Sequence, residues 1–432
     1  MQLGDALEWL DRHQNLERML ADHRPTIPSL DRMRRLVDLL GHPEAASPAL
    51  HVTGTNGKTS TAWAITRVLM AKGLQVGTYT SPHLERVNER MAVNGEAISD
   101  RDLAEVLSDL AGLEPMLPAD DRLTWFEILT GAALRWFADK PVDVVVCEVG
   151  LGGRWDATNV VDGAVAAVTN IGWDHLEFLG PSQADIAREK AGIVKPGSTV
   201  VLGVTEPDLQ AIFCDEPAAA RWLVGRDFAC TRDVLAVGGR SIDIRTPGAN
   251  YAEVWLDLHG AHQARNFTLA VAATEAFFGA PIEEALVREA AATVTSPGRL
   301  EVVRRHPLVI LDGAKNVTGA QAAIAAVDEE FGADRDRILV VGMLGGKDPA
   351  DMLQGLEAGR AKLVVTCAPP SPRALPARDV ADAAARLGAT AVAADSVATA
   401  LERAMAAAGP DDLILVAGSL YVVGAARAAL NL

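Results

Sequence analysis

Apolar runs and helical stretches alternate along the chain. Two amphipathic stretches, at about residues 3–20 and 29–41, predict helices because their apolar positions recur at helical spacing. The apolar run 49–52 then leads into a glycine-containing loop and a stretch of helix-forming residues. A further apolar run at 142–147 lacks polar alternation, which is typical of a strand buried on both faces of a parallel sheet. The pattern therefore predicts an α/β fold in which helices cover a mostly parallel sheet.

The pattern changes twice further along the chain. Residues 225–260 contain two runs that predict half-exposed antiparallel strands, and a helix is expected to begin near His262. Apolar strands and helical stretches alternate again from Leu308 to Val416. We therefore expect two domains, comprising residues 1–296 and the smaller unit 297–432.

Charge limits the classes of partner. The chain of 432 residues carries 40 Lys and Arg against 57 Asp and Glu, which gives a formal net charge of −17. A charge of this sign repels nucleic acid and anionic membrane surfaces at long range, so we expect neither as a partner. An anionic substrate must instead meet a local basic pocket.

Cysteine usage and hydropathy indicate a cytoplasmic protein. The four cysteines are scattered without a C-x-x-C pair, which argues against a disulfide framework or a structural zinc site. The amino-terminal stretch carries early acidic residues, whereas a signal peptide needs a basic flank and an apolar run. The longest uncharged candidate, 413–426, is interrupted by glycine and is shorter than the roughly 20 residues that a bilayer requires.

The loop that follows the first apolar run has the features of a phosphate site. Backbone N–H groups of residues 54–57, together with the positive end of the helix that follows, are suited to bind phosphate oxygens. Lys58 would neutralise the outer phosphates, and the hydroxyl of Thr59 would face Mg²⁺. The regular motif has glycine where this chain has Val52, and Gly54 takes over part of the loop.

Three further residues are candidates for chemistry. Glu148 and His175 each follow an apolar strand, and ligands collect at the carboxyl ends of strands in open α/β sheets. Taken alone, Glu148 is equally suited to cap a helix or form an ion pair, and His175 to pack in the core or at the surface. Lys190 lies in a helical stretch, where a lysine is ordinarily solvated.

Ten short motifs occur in order and together resemble the folylpolyglutamate synthase/dihydrofolate synthase branch of the Mur ligase superfamily. The resemblance runs from about residue 5 to the end of the chain. The motifs occupy residues 53–58, 81–84, 126–127, 148–159, 170–175, 189–193, 262–266, 297–301, 311–314 and 418–421. The resemblance implies a P-loop-containing Mur-ligase-like central domain with a mostly parallel sheet and a smaller Rossmann-like carboxyl-terminal α/β domain.

The resemblance also implies a reaction. ATP phosphorylates a carboxylate of dihydropteroate or a reduced folate, the amino group of L-glutamate attacks the acyl phosphate, and an amide forms with release of ADP and phosphate. A carboxylate is a poor acylating agent because its charge must be lost and its oxygen expelled, and phosphorylation solves both problems. Donors from the loop, Lys58 and Mg²⁺ would stabilise the charge on the transferring phosphoryl group.

Positions that match the family's motifs receive roles from the resemblance. Two Mg²⁺ ions are implied, one at Ser81 and Glu148 with Thr59 available to it, and one at His175. The family's lysine at the position of Lys190 is carbamylated, which would turn a cation into an anion that helps to position the metal. The implied nucleotide contacts are Gly54, Thr55, Asn56, Gly57, Lys58, Thr59, Asn266, Arg299 and Asp312.

The resemblance places the pterin-containing substrate at three further segments. They contribute Ile27, Pro28 and Ser29, then Thr124, Trp125, Phe126 and Glu127, and finally Trp155, Asp156 and Ala157. A flat heteroaromatic ring would stack on Trp125, Phe126 or Trp155. In the alternative interpretation, Trp125 and Phe126 begin a helix and pack in the core.

Two positions depart from the family's pattern. Thr59 follows the loop lysine where glycine or serine is usual, which keeps or gains a hydroxyl. Lys315 stands where the family has histidine in D-G-A-H-N-P; lysine retains a positive charge but lacks the proton-donating and stacking behaviour of imidazole. The second departure affects how the acyl phosphate or the incoming glutamate is handled, and Lys315 is therefore counted among the substrate-binding candidates.

Other activities remain as alternatives. One is another Mur-superfamily amino-acid ligase that acts on a carboxylate other than a folate; for the cell-wall members, only about 50 residues precede Gly54, too few for their nucleotide-sugar domain. A second is a catalytically degenerate member, which Lys315 favours and which the intact Lys58, Glu148, His175 and Lys190 disfavour. Dihydropteroate, reduced folates or both remain open as substrates, and a monomer is expected.

Overall fold

The computed structural model describes residues 1–18, 29–118, 122–174, 176–346 and 348–432. The first helix, α1 (Leu3–Asp11), is shorter than the predicted 3–20. Beyond it, tertiary contacts replace helical ones: the Gln14 carbonyl accepts a hydrogen bond from the Trp125 N–H at 2.9 Å. The second helix, α2 (Leu30–Leu40), starts as expected, because the Ser29 hydroxyl accepts a hydrogen bond from the Asp31 N–H.

A mixed sheet of eight strands forms the centre of the first part of the chain. Its order is β4-β3-β2-β5-β1-β6-β7-β8, and it is parallel except for the pairings of β3 and β4. The strands are β1 (Ala49–Thr53), β2 (Val76–Tyr79), β3 (Met91–Val93), β4 (Glu96–Ala97), β5 (Val144–Glu148), β6 (Gly163–Val168), β7 (Thr199–Leu202) and β8 (Ala220–Leu223). Because β1 lies between β5 and β6, its carboxyl end is flanked by theirs.

Helices cover both faces of this sheet. Alternate residues of β5 enter two different cores: Val144 and Val146 pack with α3, α9 and α10, whereas Val145 and Cys147 pack with α1, α2, α4 and α5. This burial on both faces confirms the interpretation of the unbroken apolar runs. The helices that follow α2 are α3 (Lys58–Ala71), α4 (Asp100–Leu113), α5 (Trp125–Asp139), α6 (Leu176–Leu179), α7 (Gln183–Ala191), α8 (Pro207–Cys214), α9 (Ala261–Phe278) and α10 (Glu284–Thr293).

A small antiparallel sheet follows, and it contains the two strands that the sequence predicts for 225–260 together with a third, Ala229–Ala236, that it does not predict. It contains β9 (Ala229–Ala236), β10 (Gly239–Arg245) and β11 (Asn250–Leu256), with β10 in the middle. Its buried residues extend the core between α3 and α9. Helix α9 then begins at Ala261, one residue from the predicted start.

The last part of the chain forms a second α/β unit, a sheet with its own helices, which we call the second layer. Its six-stranded sheet has the order β12-β13-β17-β14-β15-β16, and all pairings are parallel except that of β12 with β13. The strands are β12 (Glu301–Arg305), β13 (Leu308–Leu311), β14 (Arg337–Val341), β15 (Leu363–Thr366), β16 (Ala391–Ala393) and β17 (Leu413–Ala417). The helices are α11 (Val317–Phe331), α12 (Pro349–Gly355), α13 (Ala377–Arg386), α14 (Val397–Ala407) and α15 (Leu420–Leu430).

The second layer matches the predicted strand–helix alternation from Leu308 onward, and β12 is an addition that the apolar pattern does not predict. Within the described ranges, no helix combines the length and apolar character needed to cross a membrane.

Candidate active site

The loop between β1 and α3 requires glycine at two positions. Gly54 and Gly57 have φ values of 145° and 82°. A Cβ atom at Gly54 would lie 1.8 Å from the Thr169 Oγ1, and one at Gly57 would lie 2.6 Å from the Asn266 Oδ1. The side chains of Thr169 and Asn266 therefore leave no room for a Cβ atom at either position.

The segment after β6 holds this loop in place. The Thr55 N–H donates to the Asn170 carbonyl at 2.9 Å, and the Asn170 side chain both accepts from the Asn56 N–H and donates to the Asn56 carbonyl, each at 3.0 Å. The Gly172 N–H donates to the Thr55 Oγ1 at 2.9 Å. Helix α3 then starts without a side-chain cap among the described residues, so its first-turn amides offer a positive end for an anion.

Two lysine side chains converge on one carbonyl of the loop. Lys58 Nζ donates to the Gly54 and Thr55 carbonyls at 3.1 and 3.3 Å, and Lys190 Nζ donates to the Gly54 carbonyl at 2.8 Å. Lys190 is only 3% exposed. Burial, and next the positive charge of Lys58, holds the pKa of Lys190 well below its ordinary value. Because Lys190 is buried, the solvated-lysine alternative is excluded.

Glu148 lies at the carboxyl end of β5, beside the start of α3. Its Oε1 accepts a hydrogen bond from the Thr59 hydroxyl at 2.9 Å, and its Oε2 accepts one from the Ser81 N–H at 3.1 Å. Burial raises the pKa of the Glu148 carboxyl, while the nearby Lys58 opposes that rise. Three predicted site residues, Thr59, Ser81 and Glu148, are therefore brought together.

Two further predicted residues come from later in the chain, and one of them, Asn266, approaches the same loop. The buried Asn266 amide, on α9, faces Gly57 and donates to the Gln263 Oε1 at 3.0 Å. Asp312, at the end of β13, accepts from the Leu300 and Ala314 N–H groups at 2.9 and 2.8 Å.

Arg299 lies beside Asp312. Its guanidinium covers Gly313, where a Cβ atom would come within 2.2 Å of the Arg299 Nη1. Burial raises the pKa of the Asp312 carboxyl, and the charge of Arg299 opposes that rise. The same guanidinium also opposes the rise that burial causes in the pKa of Glu148, so it lies within electrostatic reach of the residues around α3.

A polar contact joins the second α/β layer to the loop. The Asn316 Nδ2 donates to the Asn56 Oδ1 at 3.0 Å and to the Asp174 Oδ2 at 3.4 Å. The Lys315 Nζ lies 3.7 Å from the same Asp174 oxygen, which makes a long ion pair. Lys315 therefore reaches the segment that supports the loop.

The segment 124–127 caps and packs the start of α5. The Thr124 hydroxyl accepts from the Glu127 N–H, and the Glu127 carboxylate accepts from the Thr124 N–H, in a capping box. Glu127 also forms an ion pair with Arg32 at 3.0 Å. Trp125 is 1% exposed, its indole N–H donates to the Asp11 carboxylate, and the Arg90 guanidinium lies 4.6 Å from its ring centroid. This environment favours the packing alternative for Trp125.

Phe126 and the segment 155–157 lie nearer the candidate site. The Phe126 ring covers Gly150, where a Cβ atom would be 2.5 Å from the ring. Trp155 is 44% exposed, and its backbone N–H donates to the carboxylate of Glu189, the neighbour of Lys190. Asp156 and Ala157 are buried at the start of a 3₁₀ turn, which Asp156 caps. Ile27, Pro28 and His175 lie outside the described residues.

Two family models match this chain. The Mur ligase middle domain matches residues 52–274, and the Mur ligase glutamate ligase domain matches residues 298–420. A dihydrofolate synthase/folylpolyglutamate synthase of Mycobacterium tuberculosis is 39% identical over an alignment of 440 positions. The alignment covers 93% of this chain and 89% of the relative. The chain belongs to the Mur ligase family. Within this family, the matched relatives place it in the dihydrofolate synthase/folylpolyglutamate synthase group.

Solved structures of Mur ligases have the same fold. A Mycobacterium tuberculosis folylpolyglutamate synthase complexed with ADP superposes with a TM-score of 0.91 at 37% identity, over 99% of this chain and 98% of that one. An Escherichia coli relative in complex with DHPP and ADP superposes with a TM-score of 0.86 at 30% identity, over 100% and 98%. The chain is accordingly an ATP-dependent, ADP-forming ligase that adds glutamate to folate or dihydropteroate substrates.

Several contacts of this Mur ligase were not expected from its sequence. Thr169, Asn170 and Asn316 support the nucleotide loop, and Glu17 pairs with the fully buried Arg90 at 3.0 and 2.7 Å. Asn316 directly precedes a helical pattern, which is a signal for a helix cap, and it does cap α11. The partner it contacts, however, lies 260 positions away, and no local pattern encodes that contact.

Proposed function

We propose that this ligase joins L-glutamate both to dihydropteroate and to reduced folates, through an acyl-phosphate intermediate. The observation that carries the proposal is the convergence of the glycine loop, Glu148 and Lys190 beside the carboxyl end of β1. Lys315 and Asn316 of the second layer approach the same region. An acceptor carboxylate and an ATP γ-phosphate would meet between these two sets of residues.

The loop would stabilise charge on the transferring phosphoryl group. Lys58 is close enough to neutralise phosphate oxygens once it leaves the Gly54 and Thr55 carbonyls, and the first-turn amides of α3 add fixed donors. Asn266, Arg299 and Asp312 would hold the nucleotide from the opposite side. Closing the cleft around ATP would exclude water, which otherwise hydrolyses an acyl phosphate.

The oxygens beside Glu148 suit Mg²⁺. A buried carboxylate and the Thr59 hydroxyl are hard donors, and the Ser81 segment adjoins them. Among the described residues, no group of three or more His, Cys, Asp or Glu could hold a metal ion. Mg²⁺ usually binds to only a few protein ligands when phosphates and water supply the rest of its coordination sphere. Bound there, Mg²⁺ would neutralise phosphate charge, and a second ion at His175 remains a prediction.

Lys190 is the candidate for carbamylation. A neutral lysine nitrogen can attack CO₂, form an N–C bond and lose one proton, which leaves an anionic carbamate. The lowered pKa of Lys190 supports this proposal, because a protonated amine cannot react in this way. The carbamate would place a negative charge beside Lys58 and would help to position Mg²⁺.

The acceptor would lie along Phe126 and Trp155, with the Ser29 and Asp156 segments nearby. Trp155 has the exposed ring that stacking on a pterin requires, whereas Trp125 supports the pocket from behind. Lys315 would supply the positive charge that the family's histidine position provides for the acyl phosphate or glutamate. We retain 1–296 and 297–432 as the domain division, and a monomer as the expected state.

One assay tests the proposal. The pure protein is mixed with ATP, Mg²⁺ and L-glutamate, and ADP release is measured with dihydropteroate and with tetrahydrofolate. We expect acceptor-dependent ADP release with both, and a product heavier by one glutamate residue. Release that depends on neither acceptor would contradict the proposed activity, and release with only one would restrict it.

A further inference from the structure

Helix α11 touches the first part of the molecule at both of its ends. At its start, Asn316 and Lys315 contact Asn56 and Asp174, as described above. At its other end, the carboxylates of Glu329 and Glu330 meet Arg240 of the small antiparallel sheet. A helix of 15 residues is about 22 Å long, so these two contacts lie far apart on one rigid element.

The second contact is a buried ion cluster. The Arg240 side chain is 2% exposed, and its Nη1 lies 2.6 Å from Glu330 Oε1 and 3.1 Å from Glu329 Oε2. Asp233 accepts from the Arg240 Nε. Glu330 is buried at 4% exposure, whereas Glu329 is 47% exposed. Removal of a buried partner of a buried cation is more disruptive than removal of an exposed one.

Glu330 has two additional partners that Glu329 lacks. Its Oε2 lies 2.6 Å from the His259 Nδ1, and its Oε1 accepts from the Gly260 N–H at 2.6 Å. Gly260, with φ at 94°, directly precedes α9. A Cβ atom at Gly260 would lie 3.0 Å from Leu300, in the segment that leads to the second layer. Glu330 thus fixes the backbone at the start of α9.

The first two turns of α9 lie against the nucleotide loop. Gln263 donates to the Ser60 hydroxyl of α3 at 3.3 Å, and Asn266 faces Gly57. A displacement of the start of α9 would therefore move side chains that define one wall of the loop. Glu330 is thus connected to the loop through Gly260 and the first two turns of α9.

We propose that Glu330 is a positioning residue that couples the placement of the carboxyl-terminal layer to the nucleotide loop through α9. This inference rests on the proposed nucleotide site. Glu330 itself touches neither the loop nor the residues assigned to ATP. Its neighbour Glu329 shares the helix and the Arg240 contact, and so provides a matched control.

The test compares Glu330→Gln with Glu329→Gln. A glutamine is neutral and has one acceptor oxygen in place of two, so it loses the charge opposite Arg240 and keeps the Gly260 N–H only by turning an N–H group toward His259. In calorimetric titrations with ADP and Mg²⁺, we expect Glu330→Gln to bind about tenfold more weakly than wild type, and Glu329→Gln to stay within about twofold. In the nucleotide-free proteins, we expect faster amide hydrogen exchange over residues 260–266 in Glu330→Gln alone.

Unchanged exchange and unchanged ADP affinity in a folded Glu330→Gln protein would overturn the inference. Equal weakening in both variants would also overturn it, because the shared Arg240 contact would then suffice. If Glu330→Gln does not fold, Glu330→Asp, shortened by one methylene, is compared with Glu329→Asp under the same criteria. Absence of ADP binding by the wild type would count against the proposed function, and the exchange measurement would still decide the role of Glu330.

Discussion

Two helices, α3 and α5, begin near the candidate site in opposite ways. Helix α3 starts at a glycine in the left-handed region and has no side-chain cap among the described residues, whereas α5 starts with a complete capping box of Thr124 and Glu127. The Trp125 N–H is also satisfied, by the Gln14 carbonyl. An uncapped helix start that the surrounding structure holds in place is suited to bind a ligand; a capped one supports its own fold.

This difference divides the site residues that the family resemblance assigns into two groups: those around α3 and those around α5. Around α3, the Thr55 and Asn56 amides of the loop are bonded to Asn170, whereas the first-turn amides of α3 have no side-chain cap among the described residues. Around α5, Thr124, Trp125 and Glu127 are engaged with one another, with Asp11 and with Arg32. Substitutions around α3 should therefore affect turnover and ATP binding, and substitutions around α5 should first affect stability.

The largest effect is expected for Lys190→Ala. Without the amine that carries the carbamate, kcat should fall by at least about a hundredfold. Added bicarbonate should not restore activity, whereas short carboxylic acids should restore part of it, because they can occupy the place of the anion. Lys195→Ala is the control, since Lys195 lies in the loop after α7 and donates to the Asn159 carbonyl instead of the Gly54 carbonyl. Full activity of Lys190→Ala would show that the carbamate proposal is wrong.

The next largest effect is expected for Gly54→Ala. The added methyl group would clash with the Thr169 hydroxyl, so the loop must shift and the KM for ATP should rise at least about tenfold. Gly73→Ala is a matched control, because Gly73 also has a positive φ, of 89°, but has no atom within 4 Å of its Cβ position. An equal rise in the KM of both variants would assign the effect to general backbone strain.

A moderate effect on stability is expected for Thr124→Ala. Loss of the cap at the start of α5 should lower the free energy of unfolding by about 1 kcal/mol, while the KM for ATP remains unchanged. Ser99→Ala, which removes a comparable cap from α4, should cost a similar amount. Denaturant unfolding and steady-state kinetics provide the two measurements. A large rise in the KM for ATP with Thr124→Ala would remove the distinction between the two helix starts.

The smallest effect is expected for Lys315→His. Histidine restores the family's residue, so kcat and the KM values for ATP, L-glutamate and the acceptor should stay within about twofold of wild type. Lys315→Met, which keeps the length of the side chain but removes its charge, supplies the comparison. An inactive Lys315→His protein would mean that the ammonium, with its long ion pair to Asp174, has a role that imidazole cannot fill.

The sequence predicted the loop and most buried strands because their requirements are local. Gly54 and Gly57 have positive φ values that glycine adopts without strain, and unbroken apolar runs such as 142–147 are typical of a strand with two covered faces. The predicted first helix was too long, because the residues after Asp11 bond to α5 and to the following turn. Strand β12 was missed because residues 301–305 lie at an edge and end in two arginines.

The sequence predicted candidate site residues but not the residues that hold them in place. Lys58, Glu148 and Lys190 were expected together and do converge on the loop. Asn170, Asn316 and Glu330 could not be found in this way, because each acts on a residue far away in the chain. Trp125 shows a further limit: the same aromatic side chain suits a stacking platform and a buried core, and only its surroundings distinguish the two.

The Lys58 ammonium contacts two carbonyls of its own loop, and this has a consequence for discrimination among small molecules. A compound that enters the loop must offer enough negative charge to draw the ammonium away from those oxygens. A polyphosphate does so, whereas adenosine, which is neutral, gains nothing at this point. Selectivity for nucleotides over nucleosides is thus built into the resting arrangement of a single side chain.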